Sequence, residues 1–62
     1  MQDYDAIQMI RAKYSPLHDQ LDERTRRLWA AAEANALGHG GTRAVSKATG
    51  MSETTIRLGR RE

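Results

Sequence analysis

The sequence predicts an all-α chain of four short helices. Three observations carry that expectation: apolar residues recur at intervals of three and four, helix-capping residues precede the periodic stretches, and glycines follow the stretches that must stop. Alternation of apolar and polar residues is nowhere sustained, so no strand is expected. Neither an internal repeat nor a low-complexity linker divides the 62 residues.

The first helix is expected over residues 3–14. Ile7, Ile10 and Tyr14 share one face, Asp3 can cap the start, and Pro16 disfavours helical geometry at Ser15. Residues 17–21 then form a connection in which Pro16 and Asp19 favour a turn while Leu17 and Leu21 point inward. The second helix, expected over 22–37, is capped by Asp22, whose carboxylate can accept from free amides of the first turn. Leu21, Thr25, Leu28, Trp29, Ala32 and Ala36 are expected along its buried face. Its alanines (Ala30, Ala31, Ala32, Ala34, Ala36) raise helix propensity and let a neighbouring helix approach closely.

Gly38-His39-Gly40-Gly41 must be a turn, because glycine tolerates the left-handed conformation that follows a helix and three glycines in four residues cannot continue one cheaply. A short helix over 43–49 is expected next, capped by Thr42, with Ala44, Val45 and Ala48 inward and Gly50 at its end. Ser52 caps a last helix over 53–61.

A chain this short buries only ~60% of its unfolded surface, so one domain of marginal stability is expected over 1–62. It has no cysteine, which leaves neither disulfides nor thiolate zinc sites to supplement the core. No run approaches the ~18 apolar residues of a membrane span, and Met1-Gln2-Asp3-Tyr4-Asp5 is acidic where a signal peptide is basic; a cytoplasmic location without membrane contact is expected. Net charge is +2 overall, but residues 1–37 sum to −1 and residues 38–62 to +3. The positive excess therefore lies at the C-terminal end, where a nucleic-acid partner would be sought.

Residues 45–56 in that basic half have the anatomy of a helix-turn-helix. Val45 and Ala48 give the first helix a small apolar face, Gly50 permits a sharp turn, Met51 plugs the space between helices, and Ser52 restarts a helix that Ile56 anchors on the core. The expected architecture is thus a small tri-helical helix-turn-helix core with an additional N-terminal helix packed on it. Ser52, Glu53, Thr54, Arg57, Arg60 and Arg61 would face a major groove. There, Ser52 and Thr55 can donate to phosphates, Arg57 can fork onto guanine, and Glu53 can accept from a cytosine amino group. Arg43 and Lys47 would add sequence-independent attraction to the backbone. One such module should bind weakly unless it dimerises or is joined to more protein.

The stretch Leu21-Asp22-Glu23-Arg24-Thr25-Arg26-Arg27-Leu28-Trp29-Ala30-Ala31-Ala32-Glu33-Ala34, then Leu37-Gly38-His39-Gly40-Gly41 and Val45-Ser46-Lys47-Ala48-Thr49-Gly50-Met51-Ser52-Glu53-Thr54-Thr55-Ile56-Arg57, resembles the N-terminal region of ISAzo-type insertion-sequence transposases. The resemblance covers most of residues 21–62 and implies recognition of an element's terminal inverted repeats in double-stranded DNA. In that family a DDE-type catalytic domain follows, with metal-binding carboxylates on a ribonuclease-H-like sheet. This chain is expected to correspond to the non-catalytic part, truncated before that domain, with a homodimer or a full-length transposase as its protein partner. Ser46 and Glu53 depart from the pattern, which carries alanine at the first position and often arginine at the second. The competing expectation is an inert transposase remnant or a helical protein-interaction fragment.

Other chemistry is not expected. His18 and His39 lie in separate turns with no supporting ligands, so no metal and no cofactor is anticipated. Gly38-His39-Gly40-Gly41 follows a helix and lacks the lysine and hydroxyl of a phosphate-cradling loop, so it reads as a helix stop. Trp29 is assigned to the core rather than to base stacking, and Arg24, Arg26 and Arg27 to a solvated face with secondary phosphate contacts. The carboxylates are scattered over helices and turns with no sheet to converge them on metal ions, so the chain is not expected to be an enzyme.

Overall fold

A computed structural model of the chain describes the backbone from Asp3 to Arg61 and the side chains from Tyr4 to Arg61. Four helices follow one another: α1 (Asp3–Leu17), α2 (Glu23–Leu37), α3 (Gly41–Thr49) and α4 (Glu53–Arg61), with a single 3-10 turn (His18–Gln20) between the first two. The all-α expectation holds. The cap expected of the Asp3 side chain falls outside the described residues.

Ile10 and Tyr14 of α1 are buried and Ile7 half-buried, as their spacing predicts, and Ala6 joins them. The helix does not stop at Tyr14, however; it runs on through Pro16 to Leu17. Proline removes the amide that would bond to the carbonyl of Ala12, but Ala12 is exposed, so water can serve that carbonyl and the last turn survives. The chain then tightens into the 3-10 turn. Arg26 clamps that turn by donating from Nε and Nη2 to the His18 carbonyl at 3.1 and 2.8 Å. Leu17 and Leu21 are half-buried.

Asp22 caps α2 as expected. Its Oδ1 accepts from the amide of Thr25 at 2.8 Å and from the Thr25 hydroxyl at 2.8 Å. The Thr25 amide, helped by that hydroxyl, holds the Asp22 carboxyl below its ordinary value of 3.8.

The buried face of α2 differs from the expected one. Ala30, Ala31 and Ala34 are buried, Leu28 and Trp29 are half-buried, and Thr25, Ala32 and Ala36 are exposed. Backbone proximity explains the rotation. A Cβ on Gly59 of α4 would stand 2.6 Å from the Arg27 carbonyl oxygen, and one on Gly41 of α3 would collide with the Ala34 carbonyl. Only the narrowest side of α2 admits neighbours so near, and that side carries the smallest side chains.

α2 packs against both α3 and α4, while α1 packs against α3. The core gathers Ile10, Ala30, Ala34, Val45, Ala48 and Ile56, with Ile7, Trp29, Leu37 and Met51 at its margin. Trp29 bridges to α1 through Tyr14, ring centroids 5.3 Å apart, and Lys13 reaches Glu33 at 2.7 Å on the surface. No helix among the described residues is long and apolar enough to cross a membrane.

Candidate nucleic-acid interface

Placement of the basic C-terminal half begins with two glycine-dependent turns. Gly38 ends α2 with φ 76°, and Gly40, with φ 81°, starts α3; both values lie where a side chain is disfavoured. Thr42 does not cap α3 as predicted. Gly40 occupies that position without a side chain, and the Thr42 hydroxyl instead accepts from Arg60 Nη1 at 2.9 Å, tying α3 to α4. The redundant glycines allow the helix to begin earlier, at Gly41, because only a residue without Cβ can lie against Ala34 there.

The turn between α3 and α4 is held from inside. Gly50 adopts φ 83° and its amide closes on the Ser46 carbonyl at 2.9 Å. Ser46 Oγ donates to the Met51 carbonyl at 2.6 Å, while Thr49 Oγ1 donates to the Val45 carbonyl at 2.8 Å and accepts from the Met51 amide at 3.2 Å. Met51 packs at the core margin and Ile56 is fully buried, as expected. Ser52 caps α4: its Oγ accepts from the Thr55 amide at 3.1 Å and donates to the Thr55 hydroxyl at 2.8 Å.

α4 therefore has two sides. Ile56 and Gly59 face α2, whereas Thr54, Arg57, Leu58 and Arg61 are exposed. An open cleft runs between α4 and the start of α3, lined by Gly38 to Arg43 and by Glu53, Arg57 and Arg60. Three arginines from two helices thus converge with His39 at one place, and Glu53 is the single carboxylate in the lining among the described residues. Glu53 Oε1 accepts from Arg57 Nη2 at 3.1 Å, so the negative charge in the cleft is already partnered along the helix.

Of the residues expected to contact DNA, Arg43, Glu53, Arg57 and Arg60 come together in the cleft. Lys47 is exposed one turn beyond Arg43, in a smaller depression that also includes Ile7 and His39. Thr54 and Arg61 project from the outer side of α4, away from the cleft. Ser52 is exposed, while Thr55 is half-buried and bound to it, so these hydroxyls first serve the cap. Arg26 donates to the His18 carbonyl, Arg27 is half-buried over Gly59 and Arg24 is exposed; all three lie outside the cleft lining.

Four residues were not singled out from the sequence in these roles: Thr42 as a partner for Arg60, Ser46 and Thr49 as braces of the turn, and Leu58 on the outer side. Leu58 was findable, since it stands four residues after Thr54 and three before Arg61. Among the described residues no three His, Asp or Glu side chains gather in a way that could hold a metal ion. Comparison with protein-family models, curated proteins and solved structures gives no match to this chain.

Proposed function

We propose that the chain is a helix-turn-helix module that binds double-stranded DNA with sequence selectivity, corresponding to the end-recognition part of an insertion-sequence transposase. The observation that carries the reading is the exposed side of α4, with Thr54, Arg57 and Arg61 outward beside a cleft where Arg43, Arg57 and Arg60 meet. α4 enters the major groove, and Arg43 and Lys47 on α3 approach phosphates. Phosphate neutralisation supplies most of the affinity, and Arg57, directed by Glu53, supplies part of the selectivity. The resemblance of residues 21–57 to the transposase pattern supports the same reading and points to terminal inverted repeats as the site.

The test is fluorescence anisotropy of the chain with mixed-sequence duplex DNA, titrated against salt. Log affinity should fall linearly with log salt. Arg57→Ala should lose about 1–3 kcal/mol on a preferred site and relax specificity, whereas Lys47→Ala should weaken all sequences alike and lower the salt slope by about 1. A helical chain that binds no duplex at low salt refutes the function.

A second reading, a protein-interaction fragment, has its own supporting observation. Leu28 and Trp29 are half-buried, and Tyr4 and Met9 are exposed on α1, so apolar surface remains on α1 and α2. Sedimentation beside the anisotropy titration separates the two readings: self-association by a chain that binds no duplex favours the second.

A further inference from the structure

The outer side of α4 is basic and polar apart from one residue. Leu58 is 51% exposed, one of the few large apolar side chains left in water among the described residues, and the other two, Tyr4 and Met9, sit on α1. At about 100° per residue, Thr54, Arg57, Leu58 and Arg61 fall within an arc of about 100°. The midline of that arc is roughly opposite the buried pair Ile56 and Gly59. Thr54 and Arg61 stand near the centre of the arc, with Arg57 at one margin and Leu58 at the other. Arg57 is the margin nearest the cleft, where Glu53 holds it. Leu58 is the opposite margin, and it is not among the residues that line the cleft.

Resting on the DNA-binding reading, we propose that Leu58 is a specificity-determining residue that packs on the C5-methyl group of a pyrimidine in the major groove. A groove floor presents donors and acceptors plus one apolar feature, the methyl at C5, which thymine carries and unmethylated cytosine lacks. An isobutyl group has no hydrogen bond to offer a base edge, and placed over a donor or acceptor it would strip water without replacement. The C5-methyl is the one feature of the floor that Leu58 complements. With Arg57 one residue before it, α4 then reads a hydrogen-bonding base on one margin and a methylated pyrimidine on the other. Thymine and 5-methylcytosine share this chemistry.

The test begins by selecting duplexes from a random-sequence pool with the full chain and remaking the enriched duplex with substitutions at each thymine. Replacing thymine by uracil at one position should weaken wild-type binding roughly three- to tenfold, the effect of removing one partly covered methyl. In Leu58→Ala, which alters an exposed side chain and is checked for helicity by circular dichroism, the same replacement should change binding less than about 1.5-fold. Cytosine at that position should bind more weakly than 5-methylcytosine to wild type and equally to Leu58→Ala. A loss with uracil that 5-methylcytosine does not mirror assigns the contact to thymine alone. Uracil substitution without effect at every position overturns the proposal, as does a loss that persists undiminished in Leu58→Ala. Salt-dependent binding that enriches no sequence overturns it while leaving DNA binding intact. No binding to the pool at all refutes DNA binding itself.

Discussion

Replacing Gly59 by alanine sets two effects of known sign against each other. Alanine is the better helix former by up to about 1 kcal/mol, and nothing about the backbone at Gly59 opposes it, since this glycine is not among those with positive φ. The added Cβ, however, would stand 2.6 Å from the Arg27 carbonyl oxygen and 3.1 Å from both its carbon and its Cγ. Ordinary contact begins at 3.4 Å, so α4 must retreat by about 0.8 Å, and the obstacle is backbone that cannot rotate away. Overpacking of this kind costs about 1–3 kcal/mol, with backbone obstacles toward the upper end. The net expectation is a loss of about 1–2 kcal/mol. For a domain of this size that lowers the melting temperature by roughly 5–15 °C. Thermal unfolding followed by circular dichroism measures it, with Ala32→Gly as an internal calibration. Ala32 is exposed in the middle of α2, so its replacement reports propensity alone and should cost about 1 kcal/mol. If Ala32→Gly behaves so while Gly59→Ala melts at or above the parent, α2 and α4 are not held by backbone contact and the account of the rotated α2 face fails.

Three further outcomes are expected. Ser52→Ala should remove about 1 kcal/mol by freeing the Thr55 amide that Ser52 now satisfies, measured by urea denaturation, with Ser52→Asn restoring most of it. Glu53→Gln should tighten binding to mixed-sequence DNA a few-fold at low salt, because a carboxylate of the cleft lining is lost, and should narrow the preference between sites; anisotropy with two duplexes checks both. The depressed Asp22 carboxyl stabilises the fold at pH values above 3.8, its ordinary value, and that contribution disappears as pH falls through its lower folded value. Acid unfolding of Asp22→Asn, which keeps a cap but does not titrate, should therefore show a shallower decline below pH 3.8 than the parent.

Much of the fold is legible in the sequence because the relevant signals are local. Asp22 and Ser52 announce helix starts, Gly38 and Gly50 helix ends, and Ile7, Ile10 and Tyr14, like Val45 and Ala48, recur at spacings that a helix makes one-sided. The orientation of α2 is not local. In a run where alanines fill positions 30, 31, 32, 34 and 36, apolar periodicity favours no side, and large residues such as Leu28 and Trp29 draw the expectation toward themselves. The true choice is made by Gly41 and Gly59, on the neighbouring helices α3 and α4, whose close approach is visible only once the helices are assembled. Pro16 and Thr42 mislead for a similar reason: each carries a strong local preference that its surroundings override. At the candidate site, the exposed arginines are legible as a cluster of charge, but the partner each one takes is not, since Thr42 and Arg60 lie 18 residues apart.

The two-sidedness of α4 has a consequence for how such a chain can change over generations. Ile56 and Gly59 hold the helix in place and tolerate almost nothing, while Thr54, Arg57, Leu58 and Arg61 contribute little to holding it. On the DNA-binding proposal, the positions that would recognise DNA are largely separate from those that hold α4, while Arg60, which lines the cleft and ties α4 to Thr42, serves both. Recognition can drift without passing through unfolded intermediates, even in a scaffold with little stability to spare. A library randomised at those four outward positions alone should consist mostly of folded members that differ in what they bind.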